Sequence, residues 1–227
     1  MVDPYETRPR LLDLFCGAGG AAVGYHRAGF EVVGVDIKSQ PRFPFEFHQA
    51  DALTYSLDGF DVIHASPPCQ RYSIAERIHG NKEKYPDLIA PIRSRLKENG
   101  SFYVIENVPG APLHTPVMLC GLMFDLRILR HRYFETYPFF MVPGHPQHPD
   151  WIVIKSFRTY SCFKNGATHI TMAGHNFSRE DAISALNGDC SWMTREELSQ
   201  AIPPAYTNFI GKRIMEALRE ADEKRPI

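Results

Sequence analysis

The chain has 227 residues, 44% of them hydrophobic and 22% charged, with a formal net charge of −1. That is enough to bury a core in one moderately sized domain, and it excludes a polycation built to coat nucleic acid. No apolar run approaches the roughly 20 residues a membrane helix needs, and Met1-Val2-Asp3-Pro4-Tyr5-Glu6 lacks a signal-peptide pattern, so an intracellular (cytoplasmic) protein is expected.

Leu11-Leu12-Asp13-Leu14-Phe15 reads as a short strand running into the glycine-rich Cys16-Gly17-Ala18-Gly19-Gly20. Ala21 to Ala28 reads as a small-residue helix stopped by Gly29. Glu31-Val32-Val33-Gly34-Val35 is β-branched and ends in Asp36. Asp61-Val62-Ile63-His64-Ala65 is another strand, followed by Ser66-Pro67-Pro68-Cys69-Gln70. The spacing of Leu88, Ile89, Ile92 and Leu96 predicts a helix over Asp87 to Asn99, and Ser101 to Ile105 a strand with Glu106-Asn107 at its tip. This alternation implies an α/β fold, a parallel sheet with helices on both faces. Ligands of such sheets sit beyond the carboxyl ends of the strands, the edge shared by Asp36, Ser66 to Cys69 and Glu106.

After about Glu135 the texture changes. Tyr137 to Pro149 is proline-rich without helical period, and Trp151 to Thr171 is aromatic and β-prone, with Lys164-Asn165-Gly166 as a hairpin turn. Residues 136–191 are therefore expected to form a small irregular, partly β insert between 1–135 and 192–227. Thr194 to Leu198 starts a helix with Thr194 as N-cap and Glu197 at the capping-box position, and Ala205 to Ala221 is an amphipathic helix. From Asp125 to Arg179 the bases Arg127, Arg130, Arg132, Lys155, Arg158, Lys164 and Arg179 outnumber the acids Asp125, Glu135 and Asp150. Such an excess suits a phosphate backbone or equally a solvated loop region.

Cysteines 16, 69, 120, 162 and 190 include no CxxC pair and match no zinc framework, which predicts reduced, mostly buried thiols. His145 and His148, in Pro-Gly-His-Pro-Gln-His-Pro, read as parts of a stiff loop, and no metal site is expected. The glycine loop with Asp36 is a nucleotide-binding pattern shared by several enzyme classes. Gly17-x-Gly19-Gly20 lacks the third glycine of GxGxxG, and Asp51 adds a further acid, which suits an adenosyl ligand with a cationic sulfonium better than a pyrophosphate. The two prolines before Cys69 hold its thiol rigidly at the sheet edge, where neighbouring positive charge would raise the thiolate fraction.

In this order the motifs resemble those of the cytosine-5 DNA methyltransferases: Asp13 to Gly20, Asp36, Asp51, Ala65 to Gln70 with Tyr72-Ser73, Glu106-Asn107-Val108, Arg130-His131-Arg132, Thr194-Arg195-Glu196, and Ala201 to Pro204 with Ile210-Gly211. The resemblance implies a Rossmann-like S-adenosylmethionine-dependent methyltransferase sheet, with 136–191 as a target-recognition region. It implies catalysis by Cys69, Glu106, Arg132 and Arg130, and S-adenosylmethionine contacts from Phe15, Gly17, Ala18, Gly19, Gly20, Asp36, Ile37, Asp51, Ala52, Pro67 and Gln200. It implies double-stranded DNA as partner, contacted by Gln70, Ser73, Asn107, Arg130, Lys155, Arg158 and Lys164, and a monomer of bacterial or viral origin, as in restriction-modification. A tRNA cytosine-5 methyltransferase and a catalytically silent DNA-binding homologue are the alternatives. The chain departs from the family pattern at Ser199-Gln200, where Gly-Asn is usual, at Ile128, where glutamine is usual, and in its nearly fused last two motifs. About 55 residues of insert present few base contacts, so a site of about two to four base pairs is expected.

Overall fold

The structure, a computed structural model, describes residues 8–72, 84–150, 152–154, 163–164, 166–172 and 176–224. Seven strands form one sheet in the order β3-β2-β1-β4-β5-β7-β6: β1 Arg10–Leu14, β2 Glu31–Asp36, β3 Glu46–Gln49, β4 Val62–Ala65, β5 Phe102–Asn107, β6 Val117–Leu119 and β7 Arg132–Tyr137. The first five are parallel, as the alternation predicts. The last two run antiparallel to their neighbours, a departure from the all-parallel expectation that shapes the site. Because β7 runs backwards along β5, its first residues lie beside the last residues of β5, at the ligand-binding edge.

The central strands are apolar on both sides because both faces are covered. Leu11, Val62 and Val104 enter one core with Tyr25, Phe30, Tyr206 and Ile210. Leu12, Ile63 and Ile105 enter the other with Ile92 and Leu96. Helices α1 (Gly20–Ala28) and α5 (Pro204–Glu223) cover the first face, and α2 (Ile89–Asn99) packs against the second. Alternation along each strand puts Asp13, His64 and Glu106 on the α1 and α5 face, so three polar side chains enter an otherwise apolar layer. Gly24 lets α1 and α5 touch: a Cβ there would stand 2.2 Å from the Pro204 carbonyl oxygen. Thr207 closes the contact by donating its hydroxyl to the Ala21 carbonyl (2.8 Å).

Two short helices precede α5: α3 (Arg179–Ala185), capped by Ser178, and α4 (Arg195–Gln200), whose N-terminus carries the full Thr194–Glu197 capping box. Helix α3 lies inside the insert that the sequence suggested to be irregular or β. Its signal was Ser178 followed by Glu180 and Asp181, an N-cap with acids in the first turn. Ala167, Ile170, Met172, Phe177, Ala182 and Leu186 share one core with Leu126, Ile128 and Tyr206, so the described residues of 166–190 pack onto the sheet domain. Ile154 bridges His169 in a parallel sense, unlike a hairpin; most of the expected hairpin arms lie outside the described residues. Among the described residues no helix is long and apolar enough to cross a membrane.

Candidate active site

Cys69 follows β4 on a segment without regular structure, and the next residues, Gln70–Tyr72, turn into a single 3-10 turn. The segment is pinned from the neighbouring strand. Asn107, at the end of β5, donates its amide to the Pro67 carbonyl (2.9 Å) and accepts from the Val108 N–H (3.0 Å). Asn107 is 1% exposed, so the expectation that it contacts nucleic acid is corrected: both ends of its amide are spent inside the protein.

Glu106, one residue earlier and buried, faces Arg132, whose Nε lies 3.0 Å from Oε1. The pair is close but misaligned, and Oε1 accepts no hydrogen bond among the described residues. Burial pushes the Glu106 carboxyl up; Arg132, a hydrogen bond from Ser66 and Arg130 pull the other way without cancelling it. Ser66 continues a buried polar line, its Oγ 2.8 Å from His64 Nε2, while His64 Nδ1 lies 2.9 Å from the Tyr25 hydroxyl. Burial lowers the His64 pKa to about 3, so the line is uncharged at neutral pH.

The expected activation of the Cys69 thiol by positive charge is present but outweighed. Burial raises its pKa, while Arg132 and, more weakly, Arg130 lower it. Arg130 is a brace. Its Nη1 donates to the Met172 carbonyl (2.6 Å) and its Nη2 to that of Ser199 (2.9 Å), and the Tyr206 hydroxyl donates to its own carbonyl (2.6 Å). Arg130 is buried with its two terminal nitrogens committed, while its Nε has no hydrogen-bond partner among the described residues; burial also lowers its pKa to about 9.

The glycine loop lies one strand away. Gly17 takes φ +50° with open space where a Cβ would project, and its N–H donates to Asp36 Oδ2 (3.1 Å). Asp36 Oδ1 accepts from the Lys38 N–H (2.9 Å). Phe15 also has positive φ, at 60°. Trp192 Nε1 donates to the Ala18 carbonyl (2.9 Å), and a Cβ on Gly20 would stand 2.5 Å from the Ile202 carbonyl. The segment just after Gln200 is thereby seated on the loop, with Gln200 exposed at the end of α4. Asp51 is exposed and caps its own turn through the Leu53 N–H (2.9 Å); Ala52 is buried and Ile37 exposed.

Asp13 was passed over as a site residue. It is fully buried, and neither carboxylate oxygen has a hydrogen-bond partner among the described residues. Burial, then the charges of Asp36 and Glu106, push its carboxyl well above the ordinary range. The legible signal was an acid among the leucines of β1.

Residues 9–116 match the family model described as C-5 cytosine-specific DNA methylase. Over those residues the chain is similar to this family. The methylase match contains the glycine loop, Asp36, Asp51, Cys69 and Glu106, whereas Arg130 and Arg132 follow it. Type II methyltransferase M.FnuDI of Fusobacterium nucleatum is 31% identical over 112 residues, 44% of this chain and 33% of that protein. M.AplI of Arthrospira platensis is 26% identical over 130 residues, 54% of this chain and 38% of its own. The matched stretch thus spans little more than a third of these relatives. A prophage-encoded E. coli protein described as a DNA modification methyltransferase has the same fold (TM-score 0.64, 14% identity, 93% of this chain and 99% of that one). So does the Dnmt2 methyltransferase of S. pombe (TM-score 0.60, 13% identity, 93% and 99%).

Of the residues expected at the methylase site, the structure brings Cys69, Glu106 and Arg132 to one sheet edge beside the glycine loop and Asp36. Gln70 opens the 3-10 turn, and Lys164 lies exposed in a turn of the insert. Ser73, Lys155 and Arg158 lie outside the described residues.

Proposed function

We propose that this chain is a DNA (cytosine-5-)-methyltransferase that takes its methyl group from S-adenosylmethionine and works through a covalent Cys69 adduct. The observation that carries the reading is the meeting of Cys69, a buried Glu106 with a raised pKa, and Arg132 at the edge where the glycine loop ends. Asp13 supports the cofactor: a buried carboxylate with two unpaired oxygens suits a ligand bearing positive charge. The open space over Gly17 supports close approach of that ligand to the backbone. Gly17, Ala18 and Gly19 would cradle it, Asp36 would accept from the ribose hydroxyls, and Asp51 from the adenine amino group. When bound, S-adenosylmethionine supplies an electrophilic methyl group.

The base must leave the duplex stack to reach Cys69. The Cys69 thiolate then adds to C6 of the cytosine, making C5 nucleophilic. Glu106, protonated, donates to N3 and takes up the negative charge that develops on the ring. Arg132 contacts O2, and its charge favours both the thiolate and the anionic ring. Once C5 carries the methyl group, a base removes the C5 proton and the ring expels Cys69, restoring aromaticity. Residues 1–135 and 192–227 carry this chemistry, and 136–191 selects the target.

A duplex containing 5-fluorocytosine, incubated with the protein and S-adenosylmethionine, is expected to form a covalent adduct that Cys69→Ser abolishes. An adduct that survives in Cys69→Ser overturns the assignment. Faster methyl transfer to tRNA than to duplex DNA would replace the substrate. Bisulfite sequencing of exposed DNA is expected to give a site of about two to four base pairs; a strict site of six or more would refute the short readout.

A further inference from the structure

Outside the methylase chemistry, four side chains converge from separate parts of the chain. Cys120 follows β6, His131 precedes β7, and His145 and His148 come from the proline-rich segment beyond β7. One ligand atom from each lies within 4.8 Å of all the others. His145 Nε2 is 3.1 Å from His131 Nε2 and 3.2 Å from His148 Nε2, and His148 Nε2 is 3.6 Å from Cys120 Sγ.

Hydrogen bonding alone accounts poorly for this geometry. A neutral imidazole nitrogen either carries one proton or offers one lone pair, yet His145 Nε2 faces two other Nε2 atoms at once. A cation at the centre resolves the conflict, because every nitrogen then directs its lone pair to the same point. The spacings also fit a tetrahedron. With Zn–N of about 2.0–2.1 Å and Zn–S of about 2.3 Å, neighbouring nitrogens stand about 3.4 Å apart and nitrogen and sulfur about 3.6 Å apart. The longer edges close by small rotations of the imidazoles.

We propose that Cys120, His131, His145 and His148 bind one zinc ion in a closed, tetrahedral, structural site. A thiolate with three imidazoles selects a borderline-soft metal over magnesium or calcium, which take oxygen ligands. Four protein ligands leave no open position for substrate. On binding, the Cys120 thiol loses its proton to solvent as sulfur takes the metal. Residues 138–149 form no regular element, and the ion would fasten them to the sheet through residues the fold already fixes. One ligand is His131, whose carbonyl accepts from Arg132 Nη1 (2.9 Å). The clamp would therefore hold the root of the insert against the arginine that faces Glu106.

The test uses the full chain, produced with zinc in the medium and purified without a metal-chelating tag. About one zinc per chain is expected after exhaustive dialysis, with loss of that zinc in His145→Ala/His148→Ala. Cobalt exchanged into the unaltered chain is expected to give the intense visible bands of a tetrahedral site and a near-ultraviolet thiolate charge-transfer band, the latter lost in Cys120→Ser. Metal content no higher than in the double variant, or a weak octahedral cobalt spectrum without the thiolate band, overturns the site. The cobalt spectrum of the unaltered chain decides the matter even if a variant does not fold.

Discussion

The Asn107 side-chain amide donates to the Pro67 carbonyl at 2.9 Å, so the strand that carries Glu106 also holds the loop that carries Cys69. One side chain thereby sets the separation between the proposed nucleophile and the proposed acid. Asn107→Ala leaves a buried carbonyl unpaired, at about 1–3 kcal/mol, and frees the two segments to drift. We expect a modest loss in urea stability and a much larger loss in the rate of 5-fluorocytosine adduct formation. Asn107→Asp, which has no N–H to offer Pro67, should not rescue it. A fall in adduct rate no larger than the stability loss predicts would reduce Asn107 to a packing residue.

Asp13 sets binding against stability. Its folded-state pKa is raised by burial and by Asp36 and Glu106. A raised acid contributes stability that is present below its unfolded pKa and lost as pH rises through the folded pKa. Asp13→Asn removes that loss. The ligand-free variant should melt higher than the unaltered chain at pH 8, and the gap should shrink toward pH 4. Its affinity for S-adenosylmethionine, measured by calorimetry, should fall. A variant no more stable at pH 8 would show that Asp13 finds partners in the folded chain.

Much of this was legible in the sequence because strand ends and motif residues coincide. The apolar runs around Leu12, Val33, Ile63 and Val104 mark buried parallel strands, and the polar residues that interrupt or end them mark the site. Arg132 was legible by resemblance, but its meeting with Glu106 depends on the antiparallel course of β7, which local pattern does not reveal. The role of Asn107 was misread for a related reason. Polar residues near a binding edge suggest contact with ligand, whereas burial turns their hydrogen bonds inward. The approach of Cys120 and His131 to His145 and His148 is a long-range effect of the same strand reversal, and spacing along the chain carries no trace of it.

The contact between α1 and α5 is expected to tolerate no added atom at Gly24. A Cβ there would stand 2.0 Å from Thr207 Oγ1, 2.2 Å from the Pro204 carbonyl oxygen and 2.7 Å from the Asn208 nitrogen. Two of those atoms belong to the backbone and move only if the helices part. Gly24→Ala should therefore destabilise the fold by about 1–3 kcal/mol or more, although alanine is the better helix former. Thermal melting checks this, and an unchanged or higher Tm would mean that α5 repositions freely.

Glu106 gives the chemistry its pH signature. The Cys69 thiol must ionise, which favours alkaline pH, whereas Glu106 must stay protonated to donate to N3, which favours acid. Both groups are pushed up by burial, so kcat/KM should follow a bell whose falling limb lies above the ordinary carboxylate range. Glu106→Gln keeps a donor at every pH but neither bears nor surrenders a proton. The variant should lose about 10²–10⁴-fold in kcat, and its profile should keep the rising limb of Cys69 and lose the falling one. A falling limb that survives in Glu106→Gln assigns that proton to another group and returns Glu106 to the role of counter-ion for Arg132.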